Sequence, residues 1–171
     1  SSLPLFVNYM VTGHDFAFHM MRIEGLAKGL KSGQFPVRVQ PGWLNGYGYP
    51  VSVMYGDLLL YIPALLRLGG FSLQTAYKLY VLLINAVTVA ASYACAKKIG
   101  RGWKAGLLGS LVYTLSVYRL VNIYTRCALG EYTAMAFLPL VFLGIYLMLH
   151  TQEVRRGCLY MIAGYTLILQ S

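Results

Sequence analysis

Glu131-Tyr-Thr-Ala-Met-Ala-Phe-Leu-Pro-Leu-Val-Phe-Leu-Gly-Ile-Tyr-Leu-Met-Leu-His150 carries no charged side chain between its opening glutamate and its closing histidine. A helix needs about 20 residues to cross roughly 30 Å of hydrocarbon, and this stretch has that length and composition. Phe71 to Ala96, Ala105 to Tyr124, and Gly157 to Ser171 read the same way. The chain of 171 residues is 58% hydrophobic and 11% charged, against roughly 25% charged for a soluble domain. Its mean hydropathy is +0.59. The fold expected is an all-α membrane protein: a polytopic transmembrane helix bundle over about 71–96, 105–124, 131–150 and 157–171, preceded by a loop region over 1–70 with amphipathic juxtamembrane helices.

The fourth stretch breaks off in mid-pattern at Tyr165-Thr-Leu-Ile-Leu-Gln-Ser171, and the chain opens on Ser1-Ser2-Leu3-Pro4-Leu5-Phe6-Val7 with neither a start Met nor a positive signal-peptide n-region. The sequence is therefore expected to be a fragment, with a helix upstream and further spans downstream. Cys95, Cys127 and Cys158 have no metal or disulfide spacing and read as small apolar residues.

The net charge of +9 is concentrated in two places. Lys97, Lys98, Arg101 and Lys104 share one short loop, and Arg155 and Arg156 share another. No basic-aromatic module accompanies them, so nucleic acid is not an expected partner. Cytoplasmic loops carry such an excess of Lys and Arg. Both clusters then agree on one orientation in the plasma (inner) membrane: 71–96 runs inward, 105–124 outward, and 131–150 inward again. The loops carrying Asp15 and Glu131 fall outside.

Gly48 to Leu68 is apolar enough to be mistaken for a span, but Pro50, Gly56, Asp57 and Pro63 interrupt it and Arg67 ends its longest run. Too short to cross, about 50–68 reads as an interfacial or re-entrant helix. Upstream, Phe16, Met20, Ile23, Ala27 and Leu30 recur at helical spacing, with Arg22, Lys28 and Lys31 off that stripe. This predicts an amphipathic surface helix over 16–31, with Asp15 at its N-cap, a Glu24–Lys28 pair, and Ser32-Gly33 then Pro36 at its end. Trp43, Tyr47 and Tyr49 in the following connection suit a headgroup belt.

Only five carboxylates occur in the chain, so their placement is informative. Asp15 sits in Gly13-His14-Asp15-Phe16-Ala17-Phe18-His19-Met20-Met21-Arg22. An acid beside two histidines and an arginine in an oily chain must be held at the membrane surface or in a wet cavity, because burying it unpaired costs several kcal/mol. On a helix starting near Asp15, His19 shares its face and Arg22 follows three residues on. Such a carboxylate can act as general base on a hydroxyl or help hold a divalent cation. Arg119 and Arg126 are seven residues apart, so on one continuous helix both guanidinium groups point into one outer cavity, where phosphate is the natural guest. Glu131 opens the next helix on the same side as Asp15, and Asp57 ranks below it.

These phrases carry a resemblance. Gly13-His14-Asp15…His19…Arg22-Ile23, Gly33-Gln34-Phe35-Pro36, Gly46-Tyr47-Gly48-Tyr49-Pro50 and Tyr124-Thr125-Arg126…Gly130-Glu131 are similar to those of bacterial YfhO-like membrane proteins within the GT-C superfamily of polytopic glycosyltransferases. They also resemble a family labelled "6-pyruvoyl-tetrahydropterin synthase related, membrane". The resemblance implies an inverting transferase that moves sugar from a polyprenyl-phosphate carrier to a cell-envelope acceptor on the external face. It makes Asp15 the first-loop catalytic acid and Glu131 its second-loop counterpart. His19, Arg22, Arg119 and Arg126 become substrate or phosphate-binding positions. No Asp-x-Asp pair accompanies Asp15, which leaves no dedicated metal set. The pterin label brings no chemistry, because His14, His19 and His150 are expected on opposite sides of the membrane. A transporter or flippase for a lipid-linked glycan and a non-catalytic membrane protein are the competing classes.

Overall fold

The computed structural model of the chain describes residues 2–9 and 12–171, which are helical apart from connections and one isolated bridge between Gln40 and Tyr49. Two helices are long and apolar enough to cross a membrane, α4 (Leu73–Ile99) and α7 (Leu129–His150). Ser72 caps α4 by accepting from the Thr75 amide at 3.1 Å, and Lys97 and Lys98 close it where cations complement the helix dipole. A third candidate is bent: α5 (Trp103–Thr114) and α6 (Val117–Val121) meet at 45°, and a π turn over Asn122–Arg126 follows. The straight span expected over 105–124 is thus broken at Leu115-Ser116. The last helix, α8 (Val154–Leu169), has 16 residues and reaches only about 24 Å at 1.5 Å per residue.

α7 and α8 lie close together because glycines face each other between them. A Cβ on Gly144 would stand 2.7 Å from the Gly157 carbonyl oxygen, and one on Gly164 2.7 Å from Val141 Cγ2. Small residues are what lets apolar helices approach without a hydrophobic driving force between them. At this end of the molecule Glu153 pairs with Lys98 at 3.2 Å and with Arg156 at 2.9 Å, so the two basic loops lie together. Large apolar side chains remain exposed along the outer faces, among them Leu108, Val112, Phe142 and Ile162.

The opposite end carries a lobe built from residues 12–70. The helix expected over 16–31 is α1 (Phe16–Lys31), which keeps Ala17, Met21, Lys28 and Lys31 exposed but buries more than the expected stripe. Arg22, expected off the buried stripe, is 1% exposed, and His19, Gly25 and Gly29 are buried with it. The glycines explain why. A Cβ on Gly25 would meet Gln40 Oε1 at 2.5 Å and one on Gly29 would meet Val37 Cγ1 at 2.4 Å, so their bare backbone admits the following connection across a second face of the helix. Glu24 pairs with Arg67 at 2.9 Å instead of Lys28. Trp43 packs on Phe18 and Tyr49, with ring centroids 5.8 and 5.3 Å away. The segment read as one helix over about 50–68 is three pieces: α2 (Val51–Met54), a 3-10 turn over Leu58–Leu60, and α3 (Tyr61–Leu68). α1 and α3 pack on the first turns of α4 and on α7 through Ile23, Leu26, Ala64, Tyr80 and Tyr132.

Candidate functional site

The lobe and the start of α7 meet along a specific seam. The Asp15 amide donates to the Arg126 carbonyl at 2.9 Å, and the Leu129 amide donates to His19 Nε2 at 3.3 Å. The second bond gives the first turn of α7 a side-chain acceptor from a residue 110 positions earlier. Gly13 makes the seam possible, since a Cβ there would lie 2.5 Å from the Thr125 carbonyl oxygen and 2.7 Å from Cys127 Sγ. Cys127 itself takes a left-handed backbone, φ 54°, which turns the chain out of the π turn and into α7.

Along this seam opens a cleft of about 480 Å³ lined by Asp15, Phe18, His19, Arg22, Tyr55 and Glu131. Four of the six residues proposed from sequence therefore come together. Asp15 occupies the N-cap position of α1, yet its side chain makes no capping bond and no ion pair among the described residues. The carboxylate remains available to the cleft.

Glu131 is engaged differently. Its two oxygens take a forked pair of bonds from Arg126 at 2.7 and 2.8 Å, and the Tyr118 hydroxyl donates to it at 2.9 Å. Such bidentate pairing is among the stronger polar contacts available to a carboxylate. Arg126 is held further by Asn122 Oδ1 at 2.8 Å.

His19 is neutral for a structural reason. Because Nε2 accepts from Leu129, the ring proton belongs on Nδ1, which is buried and has no partner among the described residues. Burial, with the Arg22 charge adding to it, pushes the imidazole down to about 3. Arg22 donates to the Gly56 carbonyl at 2.7 Å, and its guanidinium lies 5.2 Å from the Tyr55 ring and 5.7 Å from that of Phe18. Burial lowers its pKa, and the Asp57 charge opposes that fall without forming an ion pair.

Arg119 is not part of this cleft. It is fully buried against α4, donating to Asn85 Oδ1 at 2.6 Å, Thr88 Oγ1 at 3.0 Å and the Thr114 carbonyl at 3.4 Å. The expected convergence of Arg119 and Arg126 fails because the chain winds through the π turn between them. The heptad spacing of one continuous helix no longer applies.

A resident divalent cation does not fit the donor set. No group of three or more His, Cys, Asp or Glu gathers among the described residues. His19 Nε2 and both Glu131 oxygens are already bonded, which leaves Asp15 as the one uncommitted acidic side chain lining the cleft among the described residues. Sequence reading missed Phe18, Tyr55, Tyr118 and the Gly13 contact. Only Gly13 left a signal, as a glycine immediately ahead of the His-Asp pair. No family model, curated protein or solved structure matches the chain.

Proposed function

We propose that this chain belongs to a polytopic membrane transferase of the GT-C type that moves a sugar from a polyprenyl-phosphate carrier to a hydroxyl acceptor at the outer membrane surface. The observation that carries the reading is the cleft itself, where an uncommitted carboxylate, Asp15, shares a wall with a buried cation, Arg22, and two aromatic rings. In the reaction, Asp15 takes the proton from the acceptor hydroxyl. The acceptor oxygen bonds to the anomeric carbon as the bond from that carbon to the carrier phosphate oxygen breaks. The electron pair leaves with the phosphate. Attack from the face opposite the leaving group inverts the anomeric centre.

Glu131 supports the site in this scheme by fixing Arg126 and, through it, the backbone that receives Asp15. The basic loops at the far end of the bundle favour a cytoplasmic position there and an external one for the cleft. The exposed apolar side chains on the outer helix faces suit lipid.

The test uses vesicles holding the wild-type protein and Asp15→Asn, assayed for sugar transfer and for movement of the lipid-linked sugar across the bilayer. The expected result is transfer by the wild type and none by D15N at equal insertion. Translocation without transfer in both proteins overturns the reading in favour of a flippase.

A further inference from the structure

We infer that a second cleft, between the ends of α4 and α7 nearest Lys98, binds one anionic phospholipid, with Lys97 and Arg101 holding its phosphodiester. The inference goes beyond the transferase reading and needs only that α4 and α7 cross a bilayer.

This cleft has a volume of about 600 Å³ and is lined by Tyr93, Lys97, Lys98, Arg101, Tyr146 and Thr151. Its charge does not balance internally. Asp15, Asp57 and Glu131 lie around the first cleft and Glu24 pairs with Arg67 in the lobe, so Glu153 is the one acidic side chain at this end among the described residues. Glu153 is shared between Lys98 at 3.2 Å and Arg156 at 2.9 Å. Lys97 and Arg101 form no ion pair among the described residues. Helix dipoles do not make up the difference, because α4 and α7 end here while α5 and α8 begin here, and their opposed half-charges cancel. Two cations that line one cleft without an acid attract an anion from outside.

The backbone brings these cations together under strain. Arg101 takes φ 52°, a left-handed conformation that glycine adopts with less strain, although glycines stand on both sides of it. The Gly102 amide donates to the Lys97 carbonyl at 3.1 Å and closes the turn that holds both cations on the cleft. The Lys97 ammonium lies 5.7 Å from the centre of the Tyr93 ring, and tyrosine is the side chain suited to the depth where headgroups begin. Val89 and Phe142, one helical turn from Tyr93 and Tyr146, are exposed, so acyl chains continue from the cleft along α4 and α7. That continuity selects a lipid phosphate over a free one. The shortage of acids selects an anionic headgroup over a zwitterionic one.

The test counts bound lipid by native mass spectrometry on the protein in lauryl maltoside micelles, titrated with dioctanoyl phosphatidylglycerol, dioctanoyl phosphatidylcholine or glycerol phosphate. The expected result is saturable binding of one phosphatidylglycerol, with phosphatidylcholine and glycerol phosphate each weaker by about 10-fold or more. Lys97→Gln with Arg101→Gln weakens phosphatidylglycerol by about 10-fold or more, as loss of charge-assisted hydrogen bonds predicts. The matching control is Lys104→Gln with Arg155→Gln, which removes the same charge from the same two loops but from side chains that do not line the cleft. It changes the affinity by about twofold or less. Ala94→Phe fills the cleft from an exposed position without touching a charge, and it also abolishes binding.

Equal losses in the two double variants overturn the assignment in favour of a diffuse basic face. Phosphatidylcholine bound as tightly as phosphatidylglycerol overturns it in favour of an apolar groove, and glycerol phosphate bound as tightly as the lipid in favour of a soluble-anion site. Binding that survives Ala94→Phe places the lipid elsewhere. None of these results depends on transfer by Asp15, so this inference and the transferase reading fail separately.

Discussion

His19 shows how burial, with a neighbouring cation, sets both a charge state and a stability profile. Its ordinary value is 6.5 and its folded value about 3, so between those limits the unfolded chain takes up a proton that the folded chain refuses. Stability from this group is fully present above 6.5 and is lost as pH falls toward 3, at up to about 1.4 kcal/mol per pH unit. Thermal melts at pH about 7.5 and about 5 should therefore show a drop in the wild type that His19→Gln largely removes, since glutamine keeps an acceptor for Leu129 and does not titrate. An equal drop in both proteins contradicts the assignment. Gly13 makes a second residue-scale case. With Thr125 oxygen 2.5 Å from the position of a Cβ, Gly13→Ala should cost about 1 to 3 kcal/mol as overpacking does, and should reduce transfer more than the melt alone explains, because it pushes Asp15 off Arg126. Transfer that tracks folded protein would count against that coupling. The sequence made Asp15 and His19 legible because an acid and histidines are rare in so apolar a chain. It could not show that His19 spends one nitrogen on α7, a partner 110 residues away.

At the scale of elements, periodicity located α1 to the residue and the long apolar helices to within a few positions, because each obeys a local rule of spacing or length. It did not locate the break between α5 and α6. Neither proline nor glycine marks Leu115-Ser116, and the bend is recorded instead in long-range bonds, where Arg119 reaches Asn85 and Thr88 on α4 and the Thr114 carbonyl at the end of α5. Those bonds satisfy a carbonyl that the interrupted helix leaves open. Arg119→Met should thus lower stability by about 1.5 to 3 kcal/mol for each charged hydrogen bond lost, while leaving transfer per folded protein within about twofold. A selective loss of transfer at unchanged stability would restore Arg119 to the site. The glycines of α1 tell a similar story. Their spacing reads as weak helix, and their use is to admit the neighbouring chain at Gln40 and Val37.

Taken as a whole, the molecule gathers two groups of charges at opposite ends of its long helices. Lys98, Glu153 and Arg156 gather at one end, and Asp15, Arg22 and Glu131 at the other, with the apolar lengths of α4 and α7 between them. That separation predicts opposite labelling of His14→Cys and Gln152→Cys by a membrane-impermeant thiol reagent in intact cells, in a background lacking the native cysteines. Position 14 should react from outside and position 152 only after lysis. The reverse pattern would turn the cleft toward the cytoplasm. The central claim is that the cleft performs transfer with Asp15 as its base. It is tested most directly by supplying a lipid-linked sugar and an acceptor to membranes holding the wild-type protein or D15N at matched amounts, and measuring the glycosylated product. The account predicts product from the wild type and a loss of at least about 100-fold in D15N, within the range for removing a general base. Product from D15N at the wild-type rate would contradict it.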